Sequence, residues 1–361
     1  MLGACDYPPI FDYLRRSACD DRPLLLDETN LEILYLSAYD IAEVALSDAE
    51  VIEAVESVLR VQGDGGVVLE PRVHLVPNDL FNGHFNILRG YVGPPLDVAG
   101  VKVVGDYVGN YKLGLPSELA LLTLHDPHTG RPRAIIDATE ITERRTGAVT
   151  ALGGKYLARS DSKVLAHIGA RGTAASNVVM LDHLFDFEEV RLTSARRESR
   201  ETFGRWLEER LGKPVRVLDT IRETVEGADI VVEAARLEKP EPLLKTEWIQ
   251  KRSLVIPYGT MSMVELSLTD VMDKVVVDDW RQAQAGPFGA LRAHVESGRL
   301  SESTLHAELG QIVAGQEPGR ESDDETILFW HRVLATTDIA VGQALVERAR
   351  ERGIGSMLPY R

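Results

Sequence analysis

The feature that most constrains the fold is a series of short apolar runs between residues 163 and 280, which alternate with amphipathic stretches. The runs are KVLAHIGA, EVRLTS, ADIVVEAA, RSLVIPYG and KVVVDD, and all are rich in Val and Ile. Continuous apolar strands separated by helices are buried on both faces, as in parallel α/β sheets. We therefore predict an α/β fold with a doubly wound parallel sheet.

The residues before this region follow a different pattern. Ser47 is placed to cap a helix with apolar positions at helical spacing, and short segments broken by Gly, Pro and Asn follow it. Residues 126–130 read as a turn between two strands. The first 140 residues are thus expected to place one helix against an antiparallel sheet. The final segment, from DDETILF to ERGIG, is predicted to form two helices, the second ended by Gly353.

Composition and charge exclude several classes of function. The formal net charge of -16 repels phosphate backbones and anionic membranes, so we expect neither a nucleic acid nor a membrane as partner. Cys5 and Cys19 cannot form a disulfide framework, and no spacing of His, Asp or Glu resembles a metal site. Charges interrupt every hydrophobic stretch of the first 25 residues, unlike a typical signal peptide, so we expect a cytoplasmic protein.

A candidate nucleotide site lies in KVLAHIGARGTAASNVVML. A strand is followed by a turn with Gly169, Arg171 and Gly172, and a helix begins near Thr173 with Ala174 in its first turn. This arrangement is similar to G-x-G-x-x-G/A, in which a helix N-terminus receives a pyrophosphate. Arg171 stands where the middle glycine is expected, so an ordinary strand-to-helix turn remains an alternative. Because the fragment opens a series of βα units, we favour a Rossmann-type dinucleotide site.

The end of the next strand bears on the choice of nucleotide. NAD-binding proteins carry an Asp or Glu there for the ribose 2'-hydroxyl, whereas this chain has Ser194, Arg196 and Arg197. A hydroxyl and two guanidiniums suit a 2'-phosphate, so NADP(H) is favoured and NAD(H) stays possible. The alternative is that both arginines are solvated residues at a helix start.

Several segments together resemble the ornithine cyclodeaminase and mu-crystallin family. They are the strand at Arg72, VAGVKVVGDYVGN (98–110), the block 114–159 with Arg145-Thr146-Gly147-Ala148, the GARGTA turn, ADIVVEAA, and DETILF with a helix ending ERGIG. The resemblance covers roughly residues 34–358. It implies a Rossmann domain, a dimerising domain built from both chain ends, and a homodimer. Family activities include cyclodeamination, amino-acid dehydrogenation, ketimine reduction and hormone binding.

Pattern and resemblance together divide the chain into three parts. Residues 1–32 form an N-terminal extension to which we assign no chemistry. Residues 33–140 and 322–361 form an α+β domain for substrate binding and dimerisation. Residues 141–321 form the dinucleotide-binding Rossmann domain.

The resemblance also implies which residues form the site. Arg72, Lys102 and Arg145 would contact an amino-acid or imino-acid substrate. The cofactor would lie along Ser117, Arg145, the 169–174 turn and Ala234, a residue of the ADIVVEAA run.

The chemistry of the three substrate residues agrees with these roles. Arginine forks bind carboxylates bidentately, and a lysine in the apolar strand VAGVKVVG is costly unless it is paired or exposed. Lys102 could polarise the reacting centre or act as an acid–base group with a lowered pKa. Each residue has an alternative: a sheet-edge lysine for Lys102, a surface ion pair for Arg72, and intrahelical pairs for Arg145.

Three positions depart from the family pattern. Where cyclodeaminases have an acid–base aspartate and a lysine near the cofactor, ungapped alignment on Glu265-Leu266 places Gly259 and Met263. The pattern therefore disfavours ornithine cyclisation, whereas imine reduction or amino-acid oxidation does not require these two residues. The third departure is His331, expected on a helix at the mouth of the cofactor cleft.

Two readings of His331 are open. A histidine with a pKa near 7 is a credible catalytic proton donor, and a structural, partly buried histidine is the alternative. His74, His84 and His125 are interpreted as structural.

These observations favour an NAD(P)-dependent oxidoreductase that moves hydride between nicotinamide and the Cα of an imino acid, ketimine or amino acid. In this hypothesis Arg72 and Arg145 bind the carboxylate, and Lys102 orients or polarises the reacting centre. The alternatives are a cyclodeaminase-type lyase that uses bound NAD and a non-catalytic, crystallin-like ligand-binding protein.

Overall fold

The structure is a computed structural model that describes residues 31–78, 83–237, 239–259 and 261–360. The predicted N-terminal extension, residues 1–32, lies outside the described residues except for its last two positions. Of these, Glu32 already belongs to the first strand.

The described residues form two mainly β layers with helices packed on them. The strands are β1 (Glu32–Leu36), β2 (Val67–Leu69), β3 (Val73–Leu75), β4 (Gly83–Val92), β5 (Val98–Tyr107), β6 (Glu118–His125), β7 (Pro132–Asp137), β8 (Val164–Ile168), β9 (Glu189–Thr193), β10 (Val215–Val217), β11 (Ile230–Glu233), β12 (Leu254–Pro257), β13 (Lys274–Val277), β14 (Ala307–Glu308), β15 (Ile327–Trp330) and β16 (Ser356–Pro359). The helices are α1 (Ala38–Val44), α2 (Asp48–Gly63), α3 (Thr139–Leu157), α4 (Ala174–Phe185), α5 (Arg197–Leu211), α6 (Ile221–Val225), α7 (Trp280–Gln284), α8 (Arg292–Glu296), α9 (Leu309–Val313) and α10 (Ala335–Arg352).

The predicted parallel sheet is confirmed. Its strand order is β10-β9-β8-β11-β12-β15-β13-β14, and all its paired strands run parallel. Every residue of the central strands β11, β12 and β15 is buried, which explains why these segments are apolar without alternation. This sheet has the all-parallel, Rossmann-like form that the apolar runs predict.

The second sheet has the order β16-β1-β7-β6-β5-β4-β2, with β3 paired to β4. It is antiparallel except for the β1–β7 pair, so the chain ends meet in one mixed sheet. Ser47 caps α2 through a capping box as expected. The sequence also contains α1, capped by Ser37, whose seven residues are too few to show a helical period.

Helix α10 packs closely on the inner face of this mixed sheet. A Cβ added at Gly100 of β5 would lie 2.6 Å from Ile339 Cγ1, and one at Gly342 would lie 2.5 Å from Leu122 Cδ2. Glycine at both contacts lets the helix and the sheet approach each other. The approach carries the side chains of the first turns of α10 to the centre of β5.

The prediction of two C-terminal helices is wrong in its first half. Residues 327–330 form β15, which pairs with β12 and β13 in the parallel sheet. The expected division that placed residues 322–361 in the first domain is corrected here, because β15 belongs to the second. A four-residue apolar run buried on both faces has no period that separates strand from helix. The second half is confirmed: α10 ends at Gly353, whose φ is 66°.

Among the described residues, no helix combines the length and the apolar character needed to cross a membrane.

Candidate active site

The centre of the candidate site is Lys102, which lies in the middle of β5 between β4 and β6. The residue is only 1% exposed and pairs with strands on both sides, so the alternative of a sheet-edge lysine is wrong. The ammonium nitrogen Nζ donates to Asp338 Oδ1 at 2.5 Å and to Thr142 Oγ1 at 3.1 Å. These partners offset the cost of burying a cation in an apolar strand.

Asp338 joins Lys102 to Arg145. The Arg145 Nε lies 2.6 Å from the same Oδ1 atom, so one buried carboxylate oxygen accepts from two cations. The other oxygen, Oδ2, has no partner in the described part of the chain. Arg145 therefore pairs across the fold with α10, and not with Glu140 or Glu143 on its own helix.

Burial and the neighbouring charge of Arg145 lower the pKa of Lys102 to about 7. Its amine can therefore hold or release a proton near neutral pH, as the acid–base reading of this residue requires.

Asp338 is a functional candidate that the sequence reasoning missed. Its signal is an aspartate within the apolar face of a helix, in ATTDIAV, where an unpaired charge would be costly.

Arg72 lies between β2 and β3 and is half-buried. Its Nη2 donates to the carbonyl oxygens of Arg332 and Val333, the latter at 2.9 Å. Within the described residues it forms no ion pair, so the alternative of a surface ion pair is not what the structure contains. Burial and the charge of Arg145 lower the pKa of the Arg72 guanidinium. Carbonyl partners leave the positive charge of Arg72 free to meet an anion.

His331 does not lie where the sequence places it. It is not on a helix but directly follows β15, and it is 1% exposed. Its ring stacks on Tyr258 with centroids 4.5 Å apart, and its Nε2 lies 3.1 Å from Thr150 Oγ1. Burial and Arg145 lower the pKa of His331 to about 3, so the ring is neutral at pH 7. The expected pKa near 7 does not match this environment, and a neutral imidazole keeps one ring N–H. The catalytic role of His331 stays a prediction.

The nucleotide turn has the predicted strand–turn–helix geometry. Gly169, at φ 118°, would place a Cβ 3.0 Å from the carbonyl oxygen of Ala234, so only glycine fits this approach of two strand ends. Gly172 has φ 57°, and α4 starts at Ala174 with no side-chain cap from Thr173. The N–H of Ala174 donates to the Arg171 carbonyl at 3.3 Å, and the N–H groups after it in the first turn have no side-chain cap, so they can face a phosphate. Residues 169–174 and Ala234 come together at this edge of the parallel sheet.

A chain of contacts connects this turn to the lysine cluster. Thr173 Oγ1 lies 2.5 Å from Tyr258 Oη, and Tyr258 stacks on His331. His331 in turn bonds α3, the helix that carries Arg145. Direct side-chain contacts through Tyr258 and His331 therefore connect the nucleotide turn to α3, on which Arg145 of the cluster lies.

The other cofactor candidates lie at the margin of this site. Arg171 is exposed and donates to Ser199 Oγ at 3.0 Å, beside a cleft of about 460 Å³ that is lined by the turn and α5. Arg196 and Arg197 are exposed at the start of α5, and Ser194 is half-buried beside them. The structure shows no hydrogen bond between Ser117, half-buried before β6, and the described residues of the turn.

Comparison with known proteins adds an independent observation. The model of the ornithine cyclodeaminase/mu-crystallin family matches residues 32–353. The chain belongs to this family. It is 31% identical to the alanine dehydrogenase of Archaeoglobus fulgidus over 91% of this chain and 99% of that protein.

Two solved structures share the fold of this family member over almost its whole length. The Thermococcus litoralis Δ1-pyrroline-2-carboxylate reductase, in complex with NADH and L-proline, has a TM-score of 0.83 and 30% identity, with 90% of this chain and 99% of that chain covered. An archaeal alanine dehydrogenase dimer with bound NAD has a TM-score of 0.84 and 29% identity, with 92% and 100% covered.

At Gly259, where cyclodeaminases have an aspartate, a side chain from the neighbouring strand β11 takes up the space. A Cβ at Gly259 would lie 2.6 Å from Glu233 Oε1, so the carboxyl of Glu233 occupies the space of a side chain at 259. Glu233, the last residue of β11, is fully buried and accepts from the N–H of Ala235 at 2.8 Å and of Gly259 at 3.3 Å. Burial raises its pKa to about 7. In the sequence, the sign of this buried carboxyl is a glutamate at the end of an apolar run. Met263, the second departure from the cyclodeaminase pattern, is buried in the core.

The described residues contain no group of three or more His, Cys, Asp or Glu side chains placed to hold a metal ion. The open N-terminus of α4 and the close approach of Gly169 to Ala234 do fit a dinucleotide.

Proposed function

We propose that the protein is a nicotinamide-dependent oxidoreductase that acts on the Cα–N bond of an amino acid or its imino form. The observation that carries this proposal is the buried Lys102–Asp338–Arg145 cluster, connected by contacts to a turn that fits a pyrophosphate. The names of the alanine dehydrogenase and pyrroline-2-carboxylate reductase relatives support the same class of reaction.

The roles of the residues follow from their charges and partners. Arg72 and Arg145 bind the substrate carboxylate; Arg145 keeps its Nε on Asp338 and Nη1 on Thr146, which leaves Nη2 available. Lys102, with a pKa of about 7, holds or takes up the proton at the substrate nitrogen. Asp338 fixes the position of Lys102 and partly neutralises two cations. A nucleotide held at the 169–174 turn would supply the chemistry of hydride transfer.

The test replaces Lys102 with methionine, which has a similar length and no charge. With an identified amino acid or ketimine, we expect kcat/KM to fall by about 100-fold or more, the usual scale for loss of an acid–base group. Lys155→Met, which removes a partly exposed lysine paired with Glu56, is the matched control and should keep its activity. Full turnover in the Lys102 variant would refute the assignment.

For the nucleotide we propose NADP(H) in preference to NAD(H), although both solved relatives hold NAD or NADH. The support is that exposed Arg196 and Arg197 follow β9 where NAD-binding proteins have an acid. Arg197 pairs with Glu201 at 2.6 Å, an exposed pair that is cheap to break. Arg196→Ser combined with Arg197→Ser should raise KM for NADPH about tenfold and leave KM for NADH within about threefold. A wild-type preference for NADH would refute the proposal.

A second candidate is a cyclodeaminase-type lyase, because Glu233 restores a buried carboxyl beside Gly259. It predicts ammonia release from L-ornithine without net change in the nucleotide. We expect no such release, since the lysine of the cyclodeaminases is a buried methionine here.

We also propose a homodimer. The outer face of β5 and β6 exposes Val103, Leu119 and Leu121 by 39%, 43% and 46%, and paired strands make them one apolar patch. The archaeal alanine dehydrogenase is described as a dimer.

A further inference from the structure

A second buried guanidinium lies next to Arg72 and has no role in the proposed reaction. Arg332 is 8% exposed, and its Nη1 donates to the carbonyl oxygens of Ala285, at 3.2 Å, and Phe288. Within the described residues its side chain forms no ion pair with a carboxylate. Burial and the charge of Arg72 lower the pKa of Arg332 to about 9, so it is still positively charged at pH 7.

The carboxyl that acts electrostatically on both arginines does not bond either guanidinium. Asp278 accepts three backbone N–H groups: that of Asp279 at Oδ1, at 3.0 Å, and those of Arg332 and Val333 at Oδ2, at 2.8 and 2.7 Å. Burial raises the pKa of Asp278 to about 7, so its negative charge is only partly developed at neutral pH. The oxygens of Asp278 are thus engaged by backbone N–H groups, and neither guanidinium is hydrogen-bonded to a carboxylate in the described residues.

Two histidines adjoin the arginines along the sheet. His74 of β3 and His84 of β4 share the inner face with Lys102, and their ring centroids are 5.5 Å apart. Both ring nitrogens of His74 are shielded from solvent and have no partner in the described chain. Burial, with the charges of Arg72 and Arg332 nearby, lowers the pKa of His74 to about 4. His74 is thus a neutral ring with one unused N–H donor.

The loop after α7 closes over this cluster. Phe288 stacks on His84 at 5.9 Å and meets His74 edge-on at 5.5 Å. The same loop supplies the carbonyls that hold Arg332. Arg72, Arg332, His74 and His84 therefore form one cluster of hydrogen-bond donors and positive charge, in which no described carboxylate bonds either guanidinium.

We propose that Arg332 and His74 bind a second carboxylate, carried by the side chain of the substrate, while Arg72 binds the α-carboxylate. The substrate would then be a dicarboxylic amino acid or its imino form, similar to aspartate or glutamate. The substrate assignment rests on the proposed oxidoreductase function, but the anion site can be tested without turnover.

The first experiment measures binding to the full-length protein by calorimetry, with succinate and butyrate as probes of equal chain length. We expect succinate to bind at least about tenfold more tightly than butyrate, and Arg332→Gln to remove this preference. Arg332→Lys, which keeps the charge, should retain part of it. Arg299→Gln, at an exposed pair with Asp270, is the control and should match wild type. Equal binding of the two probes to the wild type would overturn the proposed site.

The second experiment compares kcat/KM for L-aspartate, L-glutamate and L-alanine. Arg332→Gln should lower the value for the preferred dicarboxylic substrate by about 30-fold or more and change that for alanine less than about threefold, which also reports that the variant is folded. An equal loss for all three would overturn the site and leave the oxidoreductase function intact. No turnover with any amino acid, together with a succinate preference that Arg332→Gln abolishes, would refute the oxidoreductase and support the site.

Discussion

Asp338→Asn should destabilise the protein strongly, and the size of the effect follows from the contacts of the carboxylate. Asp338 is fully buried, and its Oδ1 accepts from Lys102 at 2.5 Å and Arg145 at 2.6 Å. Asparagine keeps the shape but removes the charge, which leaves two buried cations uncompensated. Breaking a buried ion pair from one side costs about 3–5 kcal/mol, and we expect a loss in this range at pH 6.

The same substitution should have a smaller effect at higher pH. The folded pKa of Lys102 is already lowered to about 7, below its unfolded value of 10.5, so the wild-type lysine loses its proton as pH rises through 7. Above that pH the carboxylate compensates mainly Arg145, and the variant lacks only that interaction. The free-energy difference between wild type and variant should therefore shrink between pH 6 and pH 8.5.

Urea unfolding of wild type, Asp338→Asn, Lys102→Met and the double variant measures both effects. Because the two side chains touch, the double variant should be more stable than the sum of the single losses predicts, by about 1 kcal/mol or more. Losses that add within about 0.5 kcal/mol, or a cost that does not depend on pH, would refute the reasoning.

Three further predictions test other parts of the site. Burial raises the pKa of Glu233 from 4.5 to about 7, so the stability that this group contributes below pH 4.5 is lost as the pH rises through 7. The Glu233→Gln variant should therefore lack about 3 kcal/mol of the pH dependence of the unfolding free energy, which urea unfolding from pH 5 to 8 measures. Gly169 has φ 118°, and the Gly169→Ala variant would place a Cβ 3.0 Å from the carbonyl oxygen of Ala234. Fluorescence titration should therefore show nucleotide affinity about tenfold weaker or more. An unchanged affinity would contradict the close approach. Leu121→Lys should convert the proposed dimer to a monomer in light scattering; a dimer that persists would place the interface elsewhere.

The sequence predicts the parallel sheet because its strands are buried on both faces, and strands buried in this way are continuous runs of apolar residues. The nucleotide turn is equally local: two glycines between a strand and a helix specify it. Each of these features is encoded within a few neighbouring residues.

The site itself depends on contacts that no local pattern contains. Asp338 meets Lys102 across 236 positions, and only the close packing of α10 on β5 brings them together. Glu233 fills the space at Gly259 because adjacent strands end at the same edge. The run ILFW before His331 has no period that separates a strand from a helix, and the low pKa of His331 depends on burial that appears only in the folded chain.

The most direct test of the central claim follows the hydride itself. The protein is incubated with ammonium, pyruvate or oxaloacetate, and NADPH or NADH deuterated at C4 on either face, and the amino-acid product is analysed by mass spectrometry and NMR. We predict deuterium at Cα from one face of the nicotinamide, and loss of this transfer in Lys102→Met. Oxidation of the nucleotide without deuterium at Cα, or ammonia release from an amino acid without any transfer, would contradict the account.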